Sequence, residues 1–288
     1  MEEVPVILFP EWEDYSLLDC GSRRKLERFG EHILVRSEPK AWWSEDASLP
    51  EWHRAEAEIS DAGGKWTLHG SPARNWPMRY GDLVFEARLT DMSKHVGVFP
   101  EQEPHWRWLD RRLRARAKPR VLNLFGYTGA ATLVAAAAGA EVTHVDGSKP
   151  AINWARHNQE LSGLAGTPVR WILDDAYKFV AREVRRERVY EAILLDPPSF
   201  GRGPRGEIWK VEQQIGALLD NIRRILAPEG GMVVLTMYNL EASSLMLKNL
   251  MEEFFPAGEL EFGELALRSS GSGRILPLSL FARCCLPS

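Results

Sequence analysis

No stretch of this chain approaches the roughly 20 consecutive apolar residues that cross a bilayer, so the sequence reads as a soluble protein. Its opening, MEEVPVILFPEWED, has one short apolar run between acids and lacks the basic region and the length of a signal peptide. Cysteine is scarce. Cys20, Cys284 and Cys285 are odd in number and have no metal-ligand spacing, and the adjacent pair cannot easily close an ordinary disulfide on itself. A disulfide framework and a metal centre are therefore not expected, and reduced thiols in the cytoplasm are. An excess of positive charge is also missing: the formal net charge is -4 and the pI is near 6.0. Any contact with nucleic acid must come from local patches. Internal repeats and low-complexity segments are absent.

What remains is an ordinary globular composition, 44% hydrophobic and 26% charged over 288 residues, long enough for one large core and a smaller unit. Residues 1–94 carry short apolar runs (Val4 to Phe9, His32 to Val35, Leu83 to Leu89) punctuated by Gly, Pro, Asn and Asp, the pattern of a small β-rich domain. Trp12, Trp42, Trp43, Trp52, Trp66 and Trp76 fall there. Filling a small core is the plain expectation for them, and stacking on bases is the alternative.

Residues 95–288 alternate strand and helix. Strands are predicted at Arg120–Leu124, Glu141–Val145, Val169–Leu173, Ala192–Leu195 and Met232–Thr236, with helices between them and two final strands near Glu259–Ala266 and Ile275–Arg283. Repeated βα units imply a parallel sheet wound on both faces, here with an antiparallel edge. The run Ala192 to Phe200, AILLDPPSF, is the most informative segment. Two prolines cannot donate to a sheet ladder, so the strand stops and leaves Asp196 at its carboxyl end, the edge where open α/β sheets bind ligands.

The first strand runs into Phe125-Gly126-Tyr127-Thr128-Gly129, a glycine-bearing turn that opens a helix and brings backbone N–H groups to its positive end. The spacing Gly126-x-x-Gly129 is not the dinucleotide G-x-G-x-x-G, which disfavours nicotinamide and flavin cofactors. Asp146 ends the second strand, where a carboxylate can accept from two ribose hydroxyls. Asp174 and Asp175 follow the third, where a carboxylate can accept from an adenine amino group. Singly, Asp146 and Asp174 are each as well explained by helix capping. Together they form an ordered set.

That set, with the segments VGVFPEQEPHWRWL, LNLFGYTG, VTHVDGSKPAINWARHNQELSGL, DDAYKFV, LLDPPSFGRG and RILPLSLFARC, resembles the S-adenosylmethionine-dependent methyltransferases of the Rossmann-like class. More narrowly it resembles the bacterial family typified by the large-subunit ribosomal RNA cytosine-C5 methyltransferase I, over roughly residues 80–285. The resemblance implies an α/β fold with a seven-stranded Rossmann-like sheet behind a small N-terminal β-rich domain, without the PUA domain that many members carry. It implies S-adenosyl-L-methionine as cofactor, S-adenosyl-L-homocysteine as product and RNA, ribosomal RNA foremost, as partner. Phe125 to Gly129 would cradle the methionine portion, Asp146 would bind the ribose and Asp175 with Ala176 would contact the adenine, with Asn123, Ser148 and Asp174 in the same cofactor-binding set. Phe99, Glu101 and Gln102 would help close the site, and Asn153 and Asn158 would tie a helix to the loops.

In amino methyltransferases with an Asp-Pro-Pro-aromatic motif, the acid and the next carbonyl accept from the target amine and the aromatic stacks on the base. Asp196, the Pro197 carbonyl and Phe200 are the matching residues, although Ser199 intervenes before the ring. Carbon methylation of cytosine needs a thiolate to add to the base first. The loop after the fifth strand, Leu235 to Asn239, has no thiol, so a nitrogen acceptor fits better than cytosine C5. Arg107 to Arg120 is a basic run that suits a solvated helix face, and GRGPRGEIWK, Gly201 to Lys210, reads as a flexible loop at the cleft mouth able to grip phosphates. A small-molecule or protein methyltransferase, and a non-catalytic RNA-binding module keeping the fold, stay open as alternatives. Monomer and homodimer are equally open.

Overall fold

The computed structural model describes residues 4–60, 64–91 and 93–287, so Met1–Glu3, part of the acidic opening, lie outside the described residues. The chain forms two compact units. One comprises Met1–Leu8, His105–Leu265 and Ser279–Ser288, the other Phe9–Pro104 and Ala266–Leu278.

The first strand, β1 (Val6–Leu8), belongs to the larger unit. Its apolar run reads in sequence like the β-rich segments that follow it. In the structure it pairs in parallel with Gly263 to Leu265 instead. Gly263 permits this, because a Cβ there would lie 1.8 Å from the Val6 carbonyl oxygen.

The smaller unit holds β2 (Tyr15–Gly21), β3 (Arg24–Phe29), β4 (His32–Ser37), β5 (Ala57–Ile59) and β6 (Thr67–Leu68) in one five-stranded sheet. A separate hairpin joins β7 (Asn75–Tyr80) to β8 (Leu83–Arg88). Alternation along β8, with Leu83, Phe85 and Ala87 buried, turns one face inward. Trp12 and Trp76 are core residues, and Trp12 meets Phe85 edge-on at 6.3 Å. Trp43, Trp52 and Trp66 are half-buried, with indole N–H groups donating to the Cys20 carbonyl, Asp19 Oδ2 and the Ser93 carbonyl. Trp42 is 80% exposed.

The larger unit is the predicted α/β array. It runs α1 (Glu103–Leu113, begun in the smaller unit), β9 (Arg120–Leu124), α2 (Ala130–Ala137), β10 (Glu141–Asp146), α3 (Lys149–Leu161), β11 (Val169–Leu173), α4 (Ala176–Arg185) and β12 (Ala192–Leu195). There follow β13 (Phe200–Arg202), β14 (Ile208–Lys210), α5 (Val211–Ile225), β15 (Met232–Met237), α6 (Ser244–Phe254), β16 (Glu259–Arg268, ending in the smaller unit) and β17 (Ile275–Cys285, begun in the smaller unit). The sheet order is β1-β16-β17-β15-β12-β9-β10-β11. Seven of these strands make the expected Rossmann-like sheet, with β17 antiparallel to β15, and β1 extends it as an eighth.

Both sheet faces are covered. On one, Leu109, Leu113, Ala135 and Ala136 from helices pack on Val121, Val142 and Leu194, and the small alanines let α2 approach closely. On the other, Phe179, Leu218, Leu219 and Ile222 cover Leu122, Val145, Ile193 and Leu195. The apolar residues Val211, Ile215, Leu218, Leu219 and Ile222 of α5 stand at positions i, i+4, i+7, i+8 and i+11, which makes a single buried stripe. Each such side chain contributes roughly 1.5–3 kcal/mol of burial. The two neighbours of β9 are β10 and β12, so the chain winds one way through β10 and β11 and then crosses back. Ligands bind at such a reversal, beyond the carboxyl ends of the strands.

Candidate functional site

At that reversal β9 ends in the turn Phe125–Gly129. Phe125 and Tyr127 both have positive φ, 57° and 50°, a conformation that bulky side chains adopt only when their surroundings hold it. The holding contacts are identifiable. Tyr127 donates its backbone N–H to Asp146 Oδ2 at 2.8 Å, and Asn158 of α3 donates Nδ2 to the Thr128 carbonyl at 3.0 Å. Asn153, on the same helix, is exposed instead. Under the turn, Asn123 Nδ2 donates to Thr132 Oγ1 at 2.9 Å, and Thr132 in turn bonds His144 Nδ1 at 2.9 Å. This buried polar brace leaves no room above it. A Cβ on Gly126 would stand 2.4 Å from His144 Cε1. Asn123 is thus placed as a support for the loop.

Asp146 closes β10 one strand over. Its Oδ1 accepts the Ser148 N–H at 2.7 Å while Oδ2 takes that of Tyr127, so both oxygens are aimed by backbone. Burial pushes its carboxyl pKa up, against the lowering by those N–H donors. Ser148 also caps α3 by accepting from Ala151 N–H at 3.3 Å. At the end of β11, Asp174 pairs with Arg182 and accepts the Asp175 N–H, while Asp175 caps α4 through Lys178 N–H at 2.8 Å. The Asp174 backbone N–H bonds the Asp146 carbonyl at 3.1 Å, and Ala176 is buried beside them. The acids predicted on successive strands therefore share one edge.

Asp196 follows β12 on the same edge, with Pro197 buried behind it. Beyond it the segment read as a flexible loop is a hairpin: Phe200 faces Lys210, Gly201 faces Trp209 and Arg202 faces Ile208. Two alternating triplets, Phe-Gly-Arg and Ile-Trp-Lys, around a Pro-Arg-Gly turn are the signal that could have revealed it. Trp209 is a residue at this edge that the sequence does not single out. It is 3% exposed, donates Nε1 to the Pro198 carbonyl at 2.8 Å and packs on Phe125 with ring centroids 5.1 Å apart. One indole thus joins the Asp196 loop to the glycine turn. The hairpin tip reaches back to Asp146: a Cβ on Gly147 would be 3.4 Å from the Arg202 carbonyl, and Glu207 pairs with Lys178 of α4 at 2.8 Å. Phe200, by contrast, stands on the hairpin's outer side, 53% exposed.

The edge suits an adenosyl sulfonium in three respects: the Asp146 carboxylate held in place by two backbone N–H groups, a glycine-bearing turn fixed at positive φ, and an acid on the neighbouring strand. Phe99, Glu101 and Gln102 lie in the smaller unit, where Phe99 packs on His95 and burial raises the carboxyl pKa of Glu101. The thiols are elsewhere or inert. Burial pushes Cys20 up to about 11 and Cys284 up to about 12, and Cys284 Sγ fills the space beside Gly258. No group of ligating side chains that could hold a metal occurs among the described residues. A separate cleft of about 350 Å³, lined by Arg120, Glu141, Arg170, Glu183 and Arg188, opens at the amino ends of the strands, away from these acids.

Comparison with known proteins agrees with that geometry. A family model described as S-adenosylmethionine-dependent methyltransferase matches residues 32–259. The crystal structure of the SAM-dependent methyltransferase from Agrobacterium tumefaciens is 44% identical, covers 98% of this chain and 94% of its own, and superposes with a TM-score of 0.94. A putative methyltransferase complexed with SAH shares the fold at a TM-score of 0.76 and 19% identity, over 94% of this chain and 75% of that one. Among curated proteins, "Ribosomal RNA large subunit methyltransferase K/L" from Magnetococcus marinus is 35% identical over 179 residues, 59% of this chain and 24% of that protein. Its namesake from Vibrio cholerae is 34% identical over 157 residues, 51% of this chain and 22% of that one. The match thus spans about a quarter of the length of these curated relatives.

Proposed function

The chain belongs to the S-adenosylmethionine-dependent methyltransferase family, and from that premise we propose that it methylates RNA, ribosomal RNA foremost, at a nitrogen atom. The observation that carries the proposal is the position of Asp196, an acid at the carboxyl end of β12, on the edge that Asp146 and Asp174 share. When bound, S-adenosylmethionine supplies an electrophilic methyl group that an in-line nucleophile takes from sulfur. Phe125 to Gly129 would hold its methionine portion, Asp146 its ribose and Asp174 to Ala176 its adenine.

Asp196 and the Pro197 carbonyl would accept hydrogen bonds from a target amine and aim its lone pair. The Pro198 carbonyl is engaged by Trp209, which fixes this loop without using the groups assigned to substrate. The absence of a thiol from the Leu235–Asn239 loop and the burial of Cys20 and Cys284 favour nitrogen over cytosine C5. RNA as the substrate is supported by the names of the curated relatives. In this reading the β-rich unit takes part in substrate recognition, the Rossmann-like unit carries transfer, and the protein works in the cytoplasm.

Calorimetry with S-adenosylhomocysteine tests the cofactor side. Asp146→Asn is expected to weaken binding by tenfold or more, because a carboxylate that accepts two hydroxyls becomes an amide that offers one acceptor. Since burial raises its pKa, Asp146 protonates at a higher pH than an ordinary aspartate, and wild-type affinity should fall on acidification before that of a solvent-exposed site would. A flat pH profile would remove Asp146 from the ribose. Mass spectrometry of ribosomal RNA from a deletion strain tests the substrate, with one methylated nucleoside expected to disappear and to return with the wild-type gene but not with Asp196→Asn.

A further inference from the structure

The hairpin β13–β14 has an outer face that the transfer chemistry does not use. Strand alternation puts Gly201 and Trp209 inward and Phe200, Arg202, Ile208 and Lys210 together outward. Phe200 and Ile208 are 53% and 55% exposed and lie diagonally across the two-stranded ribbon, Phe200 opposite Lys210 and Ile208 opposite Arg202, where apolar groups gain nothing from water. Cations flank them. Arg202, Lys210 and, at the tip, Arg205 are exposed, and among the described residues none of the three has an ion-pair partner. The one acid of the hairpin, Glu207, is engaged by Lys178.

The face is also held rigid. Trp209 anchors it through the Pro198 carbonyl, the Gly203 N–H bonds the Glu207 carbonyl at 2.9 Å, and the Val211 N–H bonds the Ser199 carbonyl at 3.1 Å. An aromatic ring and an aliphatic side chain between unneutralised cations, on a preorganised ribbon, match the two needs of a single-stranded nucleic acid: a flat surface for a base and positive charge for its phosphates. A folded protein partner would find too little apolar area here, and a duplex would offer no free base to stack.

We propose that the outer face of β13–β14 is a docking platform for single-stranded RNA, in which Phe200 and Ile208 stack an unpaired base next to the target nucleotide and Arg202, Arg205 and Lys210 hold the adjoining phosphates. It rests on the reading of the protein as an RNA methyltransferase and assigns Phe200 to a neighbouring base, outside the transfer site. Because the platform begins at the fourth residue after Asp196, a base seated on it holds its neighbour near the acid.

The test is fluorescence anisotropy of the full chain with a labelled 12-nucleotide single-stranded RNA across a salt series, with S-adenosylhomocysteine calorimetry on every variant to verify the fold. Phe200→Ala is expected to weaken RNA binding about tenfold, and Phe200→Tyr to restore it. Arg202→Gln with Lys210→Gln should reduce the slope of log affinity against log salt by about 1.4, the loss of two single-strand phosphate contacts. The same strand annealed into a duplex should bind more weakly than the free strand. Wild-type binding that persists unchanged in Phe200→Ala and in the double variant overturns the platform and leaves the RNA reading standing. Wild-type protein that binds no RNA overturns both.

Discussion

Glu27 is fully buried in the β-rich unit, where Arg36 grips its two oxygens at 2.7 and 2.8 Å and Tyr15 donates a further bond at 2.8 Å. Lys25 adds a cation at 3.4 Å. Burial acts to raise the Glu27 pKa, but the attraction of Arg36 and Lys25 prevails and holds it at about 2, below the ordinary 4.5. A carboxyl lowered on folding contributes stability that is complete above the ordinary glutamate range and is lost as pH falls through about 2. Glu27→Gln should therefore lower stability by about 3–5 kcal/mol, since it strands the Arg36 charge in the interior, and should flatten the acid limb of the unfolding curve between those values. Urea titrations at several pH values measure both. Nothing in the sequence marks Glu27 as special, because an acid flanked by Leu26 and Arg28 in a short strand looks like a solvent-facing position. Asp196 was legible for the opposite reason: two prolines after an apolar run stop the strand at that residue whatever surrounds it.

The informative element is the hairpin between β12 and α5. As a string, GRGPRGEIWK suggests flexibility, because glycine and arginine dominate and the strands are three residues long. What orders it is tertiary: the Trp209 side chain finds the Pro198 carbonyl and the Phe125 ring, which itself takes its place only because Tyr127 and Asp146 hold the turn. Trp209→Phe keeps an aromatic ring at the position, though a smaller one, and removes the donor. The expected result is a fall in kcat of about tenfold, about the cost of one hydrogen bond to a loop that must be aimed, while the dissociation constant for S-adenosylhomocysteine stays within about twofold. Steady-state kinetics with calorimetry separates the two. The strands and helices flanking the hairpin were readable within a residue or two from periodicity and punctuation, as β12 illustrates, whose bounds Ala192–Leu195 are those the sequence marks. A three-residue strand offers no such periodicity.

For the whole molecule, the order β16-β17-β15 means that the last strand of the chain sits between two earlier ones. The edge thus depends on residues near the C-terminus, with Val233 facing Cys284 and Met237 facing Leu280 across the antiparallel ladder. Ending the chain after Arg274 should abolish cooperative folding, because β16 and the β1 strand beside it lose their connection to the sheet; near-UV circular dichroism and a thermal scan report this, and a cooperative transition near that of the full chain would contradict it. Among the described residues no helix is long and apolar enough to cross a membrane. By itself the sequence determined the alternation of strands and helices, the glycine turn, the acids at the strand ends and the proline stop, since each depends on backbone geometry or on neighbours a few residues away. Only the tertiary structure decided that β1 joins the larger sheet, that Glu27 is buried with Arg36, that Asn123 braces a loop through Thr132 and His144, and that Trp209 rather than Phe200 faces inward on the hairpin. Those outcomes depend on contacts between distant residues, where the free energy of burial and pairing exceeds local preference.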